Sequence, residues 1–447
     1  MRVTKTILLT GALFAWSSSV FAADDTARMD QIIQSRADAR DFMGSVLVAR
    51  DGKVIFEKAY GYANLEWRVP ETTDTKFRLG SVTKQFTAVS ILLLQEQGKL
   101  KLSDPIKLYV PDAPAAWDKI TVAHLLSHTS GIINFTAMPD YRSTQRLQTT
   151  SGELIKRFRD KPLEFQPGEA WNYSNSGYVL LTAVIEKASG QSYTQFLTEN
   201  IFKPLGMSDT GYDNASVLLP KRASGYMPGE GGPRNADFID MTVPQGAGAL
   251  YSTTHDLLKW AQALFGGKVL KSESLTLMTT PVKNDYGLGV SVVNGVNGKE
   301  ISHGGGIDGF NTHLSYYPAD KVTIVVLGNL NGRAVDAIDQ QLGDLAHGKS
   351  VQLASERKEI ELSPKVLETY IGTYALSPTF KFTITVEKGQ LMAQATGQAK
   401  FPLFAESDTL FFLKVVDAKF EFFKGANGKI EYLILHQNGR DQKAVRE

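Results

Sequence analysis

The hydrophobic pattern of the chain changes its period several times. Residues 44–60 hold two alternating apolar runs on either side of Asp51 and Gly52, which predicts a β-hairpin closed by a tight turn. Residues 85–100 carry apolar side chains at helical spacing, and Gly98 is typical of a helix end. This part of the chain therefore predicts strands followed by a buried helix.

The helical period dominates residues 120–280, and strand character returns after them. Residues 289–293, 310–317 and 322–327 predict strands, and residues 334–345 predict a closing helix. Strands at both ends of a helical insert predict an α+β fold, with one antiparallel sheet flanked by helices and a helical subdomain attached. We expect the active site in the cleft between the sheet and that subdomain.

The last part of the chain has a different character. Residues 348–362 are polar and charged, which predicts a linker. Residues 363–447 contain short strands at regular spacing between Gly and Asn turns, which predicts a small all-β domain, a barrel or a sandwich. We therefore expect one folded domain over residues 23–347 and a barrel-like domain after the linker.

Composition narrows the classes of protein to consider. The chain has 447 residues, of which 43% are hydrophobic and 21% charged, as is typical of a globular protein with more than one domain. The formal net charge of +1 gives no argument for a nucleic-acid partner or for a charged membrane surface. Because there is no cysteine, disulfides, thiolate metal sites and a cysteine nucleophile are excluded.

Residues 1–22 have the pattern of a signal peptide. Arg2 and Lys5 precede an apolar stretch that is too short to span a membrane, and a small-x-small sequence allows cleavage after Ala22. A polar run follows at once. We expect an exported protein, periplasmic or secreted, whose mature chain has no integral membrane segment.

The first candidate for chemistry is Ser81-x-x-Lys84, at the start of the buried helix. Residues three apart share a helix face, so the Lys84 amine can reach the Ser81 hydroxyl. A serine becomes a nucleophile when an adjacent base takes its proton, and a lysine serves as that base when burial lowers its pKa. The same pattern recurs at Ser355 and Lys358, in a polar stretch that we interpret as solvated linker.

Two further stretches carry possible chemistry. Tyr173-x-Asn175 precedes a helix, where a phenol can relay protons and an amide can hold a lysine and a substrate. His303 begins a run of glycines, Gly304 to Gly306, that lets backbone approach a substrate closely. Each pattern is weak alone. Tyr62-x-Asn64 also matches, and the glycine run taken alone favours a turn between strands.

Together the three motifs identify a family. Ser-x-x-Lys, Tyr-x-Asn and His-x-Gly occur in that order, with flanking phrases at 79–86, 102–105, 121–131 and 165–168. Over residues 28–346 the chain resembles the serine β-lactamase and penicillin-recognising hydrolase family. The branch is that of class C β-lactamases, D-alanyl-D-alanine carboxypeptidases, D-aminopeptidases and lactamase-fold esterases. The C-terminal region is similar to an accessory domain often fused behind this fold.

The resemblance implies a role for each motif residue. Ser81 is the acylated nucleophile, Lys84 and Tyr173 share general-base and general-acid work, and Asn175 positions Lys84 and the substrate. His303 stands where many members have a lysine, and Gly304 and Gly305 bind substrate. The backbone N–H groups of Ser81 and Gly306 form the oxyanion hole. No metal or organic cofactor is implied.

The third motif departs from the family pattern. Penicillin-binding members often have Thr or Ser at the positions of Gly304 and Gly306, where the hydroxyls hold a substrate carboxylate, and histidine is a weaker, pH-dependent cation. These changes favour an esterase, or a peptidase that does not rely on a terminal carboxylate, such as an aminopeptidase. The substrate expected is a small molecule or peptide, and the peptidase would be of the D-amino-acid or peptidoglycan type. A β-lactamase or D-alanyl-D-alanine carboxypeptidase is the alternative.

Other readings of the sequence remain open or are unsupported. The protein could acylate once and stay blocked, as a penicillin-binding sensor, and turnover distinguishes that class from an enzyme. His124 and His128 have the spacing of a zinc helix, but Leu125 stands where the metalloprotease pattern needs Glu, which favours packing. No Gly-x-Ser-x-Gly elbow occurs. The sequence does not indicate the oligomeric state.

Overall fold

The structure is a computed structural model that describes residues 23–229, 231–353, 356–414, 418–437 and 440–447. The predicted signal peptide and Ser355 of the second Ser-x-x-Lys pattern lie outside the described residues. Within the described ranges, no helix combines the length and the apolar character needed to cross a bilayer.

The elements alternate along the chain as follows. The helices are α1 Ala23–Asp38, α2 Thr83–Glu96, α3 Val122–Leu126, α4 Tyr141–Thr144, α5 Ser151–Arg159, α6 Asn175–Ser189, α7 Tyr193–Leu197, α8 Thr254–Phe265, α9 Ser272–Met278, α10 Ala334–Ala346 and α11 Pro364–Leu367. The strands before the C-terminal region are β1 Gly44–Arg50, β2 Lys53–Tyr60, β3 Tyr62–Asn64, β4 Val69–Pro70, β5 Phe77–Arg78, β6 Gly211–Tyr212, β7 Tyr226–Met227, β8 Arg234–Asn235, β9 Leu250–Ser252, β10 Ser291–Gly295, β11 Gly298–Ile307, β12 Phe310–Tyr317 and β13 Val322–Gly328. The C-terminal strands are β14 Gly372–Ser377, β15 Phe380–Glu387, β16 Gln390–Ala395, β17 Lys400–Ala405, β18 Leu410–Phe412, β19 Ala418–Lys424, β20 Ile430–Gln437 and β21 Arg440–Arg446.

The main sheet is antiparallel and has six strands in the order β10-β11-β12-β13-β1-β2. Its two halves come from the two ends of the region, since β1 pairs with β13, and this confirms the predicted α+β architecture. The hairpin between β1 and β2 turns at Asp51 and Gly52, which have φ angles of 48° and 80°. Two positive φ angles match a type I′ turn, whose twist suits a two-residue hairpin.

Helices cover both faces of this sheet. On one face α1 and α10 enclose a core with the outer side chains of β1 and β13, and Met29, Ile32 and Ile33 of α1 are fully buried. We did not predict α1, because its apolar residues fill only one turn of a mostly polar segment. On the other face lies the largest core, which α2 shares with α6 and α8.

Helix α2 is the central element of that larger core. Every residue from Thr83 to Leu92 is buried, so the helix is enclosed all round and not amphipathic. It begins two residues earlier than predicted and ends before Gly98, whose φ of 70° is the left-handed value that stops a helix. A polar residue on such a helix is removed from water wherever it points.

The C-terminal region forms a closed barrel in which β14 to β21 pair in sequence and β14 closes on β21. Closure leaves no sheet edge exposed along the paired strands. The barrel prediction is therefore confirmed over the sandwich alternative. Its interior is a separate hydrophobic core built from inward-facing residues such as Tyr374, Leu391, Leu433 and Ala444.

Candidate active site

Ser81 lies in a short 3-10 turn, Gly80–Val82, that leads directly into α2. Gly80 has a φ of 52°, and a Cβ at this position would lie 2.9 Å from the backbone nitrogen of Gly306. The turn therefore needs a glycine both for its conformation and for the close approach of β11. As a result Ser81 is half-buried at the cleft, beside the glycine-rich strand.

Lys84 is fully buried one turn further along, and three oxygen atoms surround its amine. Nζ lies 3.0 Å from Oγ of Ser81, 2.8 Å from Oδ1 of Asn175 and 2.8 Å from the carbonyl oxygen of Ala247. Burial lowers the pKa of Lys84 well below its ordinary value. A neutral amine has two N–H donors and one lone pair. The two carbonyl oxygens accept the donors, which leaves the lone pair facing the serine hydroxyl.

Tyr173 shares a hydrogen bond with Ser81, and its ring centroid lies 4.7 Å from Nζ of Lys84. Burial raises the pKa of the phenol well above its ordinary value, so Tyr173 stays protonated at neutral pH. The serine thus has a basic amine on one side and a protonated phenol on the other. In this arrangement Lys84 can accept the proton of the serine hydroxyl, and Tyr173 can donate a proton to a leaving group.

Asn175 is the first residue of α6 and is held by two residues that the sequence analysis did not single out. Its backbone N–H donates to Oδ1 of Asn134 at 3.1 Å, and Nδ2 donates to Oγ1 of Thr136 at 3.1 Å. With Nδ2 engaged, Oδ1 is directed at Lys84. The amide orientation is therefore fixed by the 132–137 loop, which has no motif of its own.

His303 is buried and neutral. Its Nδ1 donates to the carbonyl oxygen of Gly304 at 2.6 Å, and its Nε2 accepts from the hydroxyl of Tyr286 at 2.9 Å. Burial lowers the pKa of His303 to about 3, helped by the nearby Lys84. The imidazole therefore carries no charge at neutral pH. Its ring lies against that of Tyr173, with centroids 6.3 Å apart.

The glycine run is part of a strand, so the turn favoured by this pattern alone is wrong. Strand β11 continues through Gly304, Gly305 and Gly306 in register with β12. A Cβ at Gly305 would lie 2.0 Å from the carbonyl oxygen of Leu79, which explains why the strand needs glycine there. A Cβ at Gly304 would instead point towards His313 and Asp336, behind the strand and away from that contact.

Ser81 and Gly306 line one cavity of about 380 Å³. The backbone nitrogen of Gly306 lies next to the Ser81 turn, as the contact with Gly80 shows. Two backbone N–H groups beside a nucleophile are the donors that an oxyanion requires. The structure places these groups together, whereas Gly304 and Gly305 sit further along the strand.

Two charged side chains line this cavity and neutralise each other, and the sequence analysis missed both. Nη1 of Arg142 lies 2.8 Å from Oδ1 of Asp308, and Gln145 donates to Oδ2 of the same carboxylate at 2.8 Å. Asp308 is 9% exposed and Arg142 66% exposed. Asp308 follows Gly306 by two residues, and that position relative to the glycine run is the signal that could have found it.

His128 packs among aromatic rings beneath the site. Its ring centroid lies 4.3 Å from that of Tyr173 and 4.8 Å from that of Tyr286, and Nδ1 accepts from the backbone N–H of Ser174. His124 instead accepts from the backbone N–H of Thr121 at the start of α3. Each histidine thus has a local packing or capping contact, in agreement with the packing interpretation.

One group of side chains elsewhere in the described chain has metal-ligand spacing. Potential ligand atoms of Glu300, His313 and Asp339 lie within 4.8 Å of one another, behind β11. Ser315 donates to both oxygens of Asp339, and Nδ1 of His313 pairs with Asp336 at 3.1 Å. The carboxylates raise the pKa of His313 to about 9, so a charged imidazole accounts for the cluster.

Comparison with known proteins agrees with this geometry. The Beta-lactamase family model matches residues 29–348, so the chain belongs to that family, and its fold is that of the serine β-lactamase-type hydrolases. A second family model, the domain of unknown function DUF3471, matches residues 356–446. The resemblance to penicillin-recognising hydrolases with a C-terminal accessory domain is thereby confirmed.

Two of the similar proteins cover nearly the whole chain, and a third covers the hydrolase region. Penicillin-binding protein 4* of Bacillus subtilis is 29% identical over 94% of this chain and 98% of its own length. The octameric penicillin-binding protein homologue from Pyrococcus abyssi is 26% identical, with a TM-score of 0.69 over 94% of this chain and 100% of that one. A D-stereospecific amidohydrolase from Streptomyces is 26% identical, with a TM-score of 0.61 over 70% of this chain and 98% of that one.

Proposed function

We propose that the protein hydrolyses an ester or amide through an acyl-enzyme on Ser81. The observation that carries the proposal is the set of hydrogen-bond contacts made by the amine of Lys84. Both of its N–H donors go to carbonyl oxygens, and Nζ lies 3.0 Å from the serine oxygen. Because burial lowers the pKa of this amine, Lys84 is suited to take the proton of Ser81 as a general base.

The proposed reaction uses the groups already in contact. Lys84 takes the hydroxyl proton as Oγ of Ser81 bonds to the carbonyl carbon, and the backbone N–H groups of Ser81 and Gly306 receive the oxyanion. Tyr173 gives a proton to the leaving alcohol or amine and recovers one from Lys84. Water then attacks the acyl carbon, loses its proton to the same pair and releases the acid, with Ser81 regaining its proton.

We propose that the substrate does not depend on a terminal carboxylate. Binding a carboxylate requires a cation or several donors. His303 is neutral, and Arg142 is already paired with Asp308. Side chains at positions 304 and 306 would share the face behind the regular strand, so the missing hydroxyls at these glycines do not add support.

Within that class we favour a D-amino-acid amide or peptide, or a simple ester, over a β-lactam. Support comes from the Streptomyces D-stereospecific amidohydrolase among the structural neighbours. A β-lactam or D-alanyl-D-alanine peptide carries a carboxylate, and Arg142, the cation in the described lining of the cleft, is already paired with Asp308.

The test is a four-substrate comparison with the mature protein and its Ser81→Ala variant. The substrates are a neutral p-nitrophenyl ester, a D-amino-acid anilide, a D-Ala-D-Ala peptide and a chromogenic cephalosporin, with rates and covalent mass recorded together. We expect Ser81-dependent turnover of the ester or the anilide. Better turnover of the peptide or cephalosporin contradicts the substrate proposal, and a stable adduct without turnover makes the protein a penicillin-binding sensor.

We also propose that residues 1–22 direct export and are then removed, and that residues 348–362 link the hydrolase domain to the barrel. The charged polar sequence of residues 348–362 supports a linker.

N-terminal sequencing of protein recovered from the periplasm or medium tests the export proposal, with Ala23 as the expected first residue. Limited proteolysis tests the second, with early cuts expected inside 348–362.

A further inference from the structure

The interior of the C-terminal barrel is filled at one end only. Tyr370, Tyr374, Phe411 and Phe422 pack ring against ring there, with centroids 4.8 Å apart for Tyr370 and Phe422 and 5.5 Å apart for Tyr374 and Phe422. A small barrel of this strand number has room for side chains or for one small ligand. At this end, side chains occupy the space.

The other end of the barrel opens into a cavity of about 1120 Å³, which residues of the hydrolase domain also line. Alanines at several lining positions leave the space open. The apolar residues that line it are Leu376, Phe380, Phe382, Ala393, Ala395, Ala399, Phe401, Leu413, Ala418, Phe420 and Leu435. Aromatic and aliphatic walls with this volume are characteristic of pockets for small organic ligands. The residues of the cavity and those of the Ser81 cleft form two separate sets.

Polar residues from both domains line this cavity, and Gln398, Gln437 and Gln442 come from the barrel itself. His313 and Asp336 line it as a hydrogen-bonded pair, with Nδ1 of His313 3.1 Å from Oδ1 of Asp336. Arg333, at the start of α10, also lines the cavity and is exposed, and it has no ion-pair partner among the described residues. Because His313 is engaged by Asp336 and by Asp339 behind it, Arg333 is the lining cation that no described carboxylate pairs.

We propose that the barrel binds a soluble long-chain carboxylate, with the alkyl tail in the apolar cavity and the head group on the guanidinium of Arg333. The apolar lining residues provide contacts for an unbranched hydrocarbon, and the polar residues of the lining provide contacts for its head group. A guanidinium pairs with a carboxylate through two parallel hydrogen bonds. This function is separate from hydrolysis and does not depend on the chemistry of the Ser81 cleft.

The direct test measures binding of fatty acids to the full mature chain. Fluorescence of cis-parinaric acid reports occupancy, and saturated carboxylates from octanoate to palmitate displace it. We expect saturable binding of one molecule per chain, tightening by up to about fourfold for each added CH₂ until the cavity is full. The cationic dodecyltrimethylammonium ion carries the same tail as laurate, and we expect it to bind more weakly.

Paired variants separate the tail site from the head-group site. Ala395→Phe places a ring at a half-buried cavity position, and we expect it to weaken laurate binding at least tenfold. Val445→Phe is the matched control, because Val445 is 54% exposed and is not one of the cavity residues. Arg333→Gln is expected to weaken laurate about fivefold with little effect on the cationic amphiphile. Lys365→Gln removes an exposed cation that does not line the cavity.

Clear outcomes would overturn the proposal. These are the absence of saturable binding, equal binding by Ala395→Phe, equal affinity for the cationic amphiphile, or binding only to phosphatidylglycerol vesicles in co-sedimentation. Melting temperature and ester hydrolysis are measured for every variant. If Ala395→Phe does not fold, the Arg333→Gln comparison and the chain-length series still decide the question.

Discussion

The carbonyl oxygen of Ala247 lies 2.8 Å from Nζ of Lys84 and occupies one of the donors of the buried amine. The turn that carries it is locked between α2 and α6. The backbone N–H of Gly246 donates to Oγ1 of Thr182, and Thr87 donates to the carbonyl oxygen of Gly246. The protonation state of Lys84 is thus set by burial together with two neutral acceptors, without a carboxylate in its hydrogen-bond shell.

The first prediction concerns Lys84→Arg and Lys84→Met. An arginine stays protonated and cannot act as a base, and methionine has no lone pair of comparable basicity. We expect each variant to lose about 10³-fold or more in kcat/KM on a neutral p-nitrophenyl ester, on the scale of losing one member of a catalytic unit. Circular dichroism checks that both variants fold. Retention of a tenth of the activity by Lys84→Arg would rule out Lys84 as the base.

The pH profile of the unmodified protein follows from the same contact. A general base works when deprotonated, and the pKa of Lys84 is well below its ordinary value. We expect kcat/KM to rise with pH on the acid side and to reach a plateau well before pH 10, near which an ordinary lysine titrates. A profile that keeps rising to pH 10 would show an amine that burial has not shifted.

The second prediction is that the protonation of His303 does not shape the pH profile of kcat/KM. Because the pKa of His303 is about 3, its charge does not change between pH 5 and 9. We expect His303→Gln to lower kcat/KM about tenfold or less, through the lost contact with Tyr286, while the midpoint of the acid limb stays in place. Tyr286→Phe removes the same hydrogen bond from the other side and serves as the matched variant. A shift of one pH unit in the midpoint of either variant would mean that the imidazole titrates in the working range.

The sequence predicted the sheet, the barrel and the motif residues because their signals are local or periodic. The alternating apolar residues in 44–60 and the apolar run at 322–327 predict strands. The three-residue spacing of Ser81 and Lys84 is enough to place both on one helix face. The carbonyl of Ala247 and the loop that holds Asn175 could not be predicted. Backbone carbonyls occur at every residue, and only tertiary folding decides which one meets a buried amine.

The glycine run shows the opposite limit. Gly304 to Gly306 resembles a turn, because glycine is common in turns and weakens strands. The reason for glycine is instead the approach of Leu79, whose carbonyl oxygen would lie 2.0 Å from a Cβ at Gly305. That contact joins residues far apart in the chain, so the turn propensity of glycine predicted a turn where the structure has a strand.

The third prediction concerns stability and pH through His313. Its folded pKa of about 9 is above the ordinary value near 6.5, so the folded state holds the proton more tightly. The stabilisation is complete below pH 6.5 and is lost as pH rises to 9, on the order of 3 kcal/mol. Urea unfolding at pH 6 and pH 9.5 measures this loss.

The control for the His313 prediction must replace both His313 and its buried neighbour Asp339. Asp339 is buried beside His313 and has its own raised pKa, about 6, so His313→Gln alone would leave a titrating carboxylate. The buried carboxyl of Glu71 also titrates in this range, because burial raises its pKa to about 8. The double variant His313→Gln, Asp339→Asn is therefore expected to lose about 3 kcal/mol less stability between the two pH values than the unmodified protein. An equal loss in the two proteins would show that the imidazole is not held protonated by the fold.

The last prediction uses Asp308 to test why the cleft should reject carboxylates. Arg142 is 66% exposed and is held by the nearly buried Asp308, which also accepts from Gln145. In Asp308→Asn the guanidinium has no anionic partner at this position and is free to pair with a substrate. We expect kcat/KM for an anionic ester, such as a p-nitrophenyl hemisuccinate, to rise about fivefold relative to a neutral ester of similar size.

Two further variants serve as controls for this prediction. Adding Arg142→Gln to Asp308→Asn should cancel the gain. Arg142→Gln alone should change neutral-ester hydrolysis less than threefold, because charges at the rim of a site contribute little. The ratio between the two esters is the measurement, because it cancels any general loss of activity. If Asp308→Asn leaves that ratio unchanged, the pairing of Arg142 is not what keeps carboxylates out, and the neutral His303 must account for the selectivity on its own.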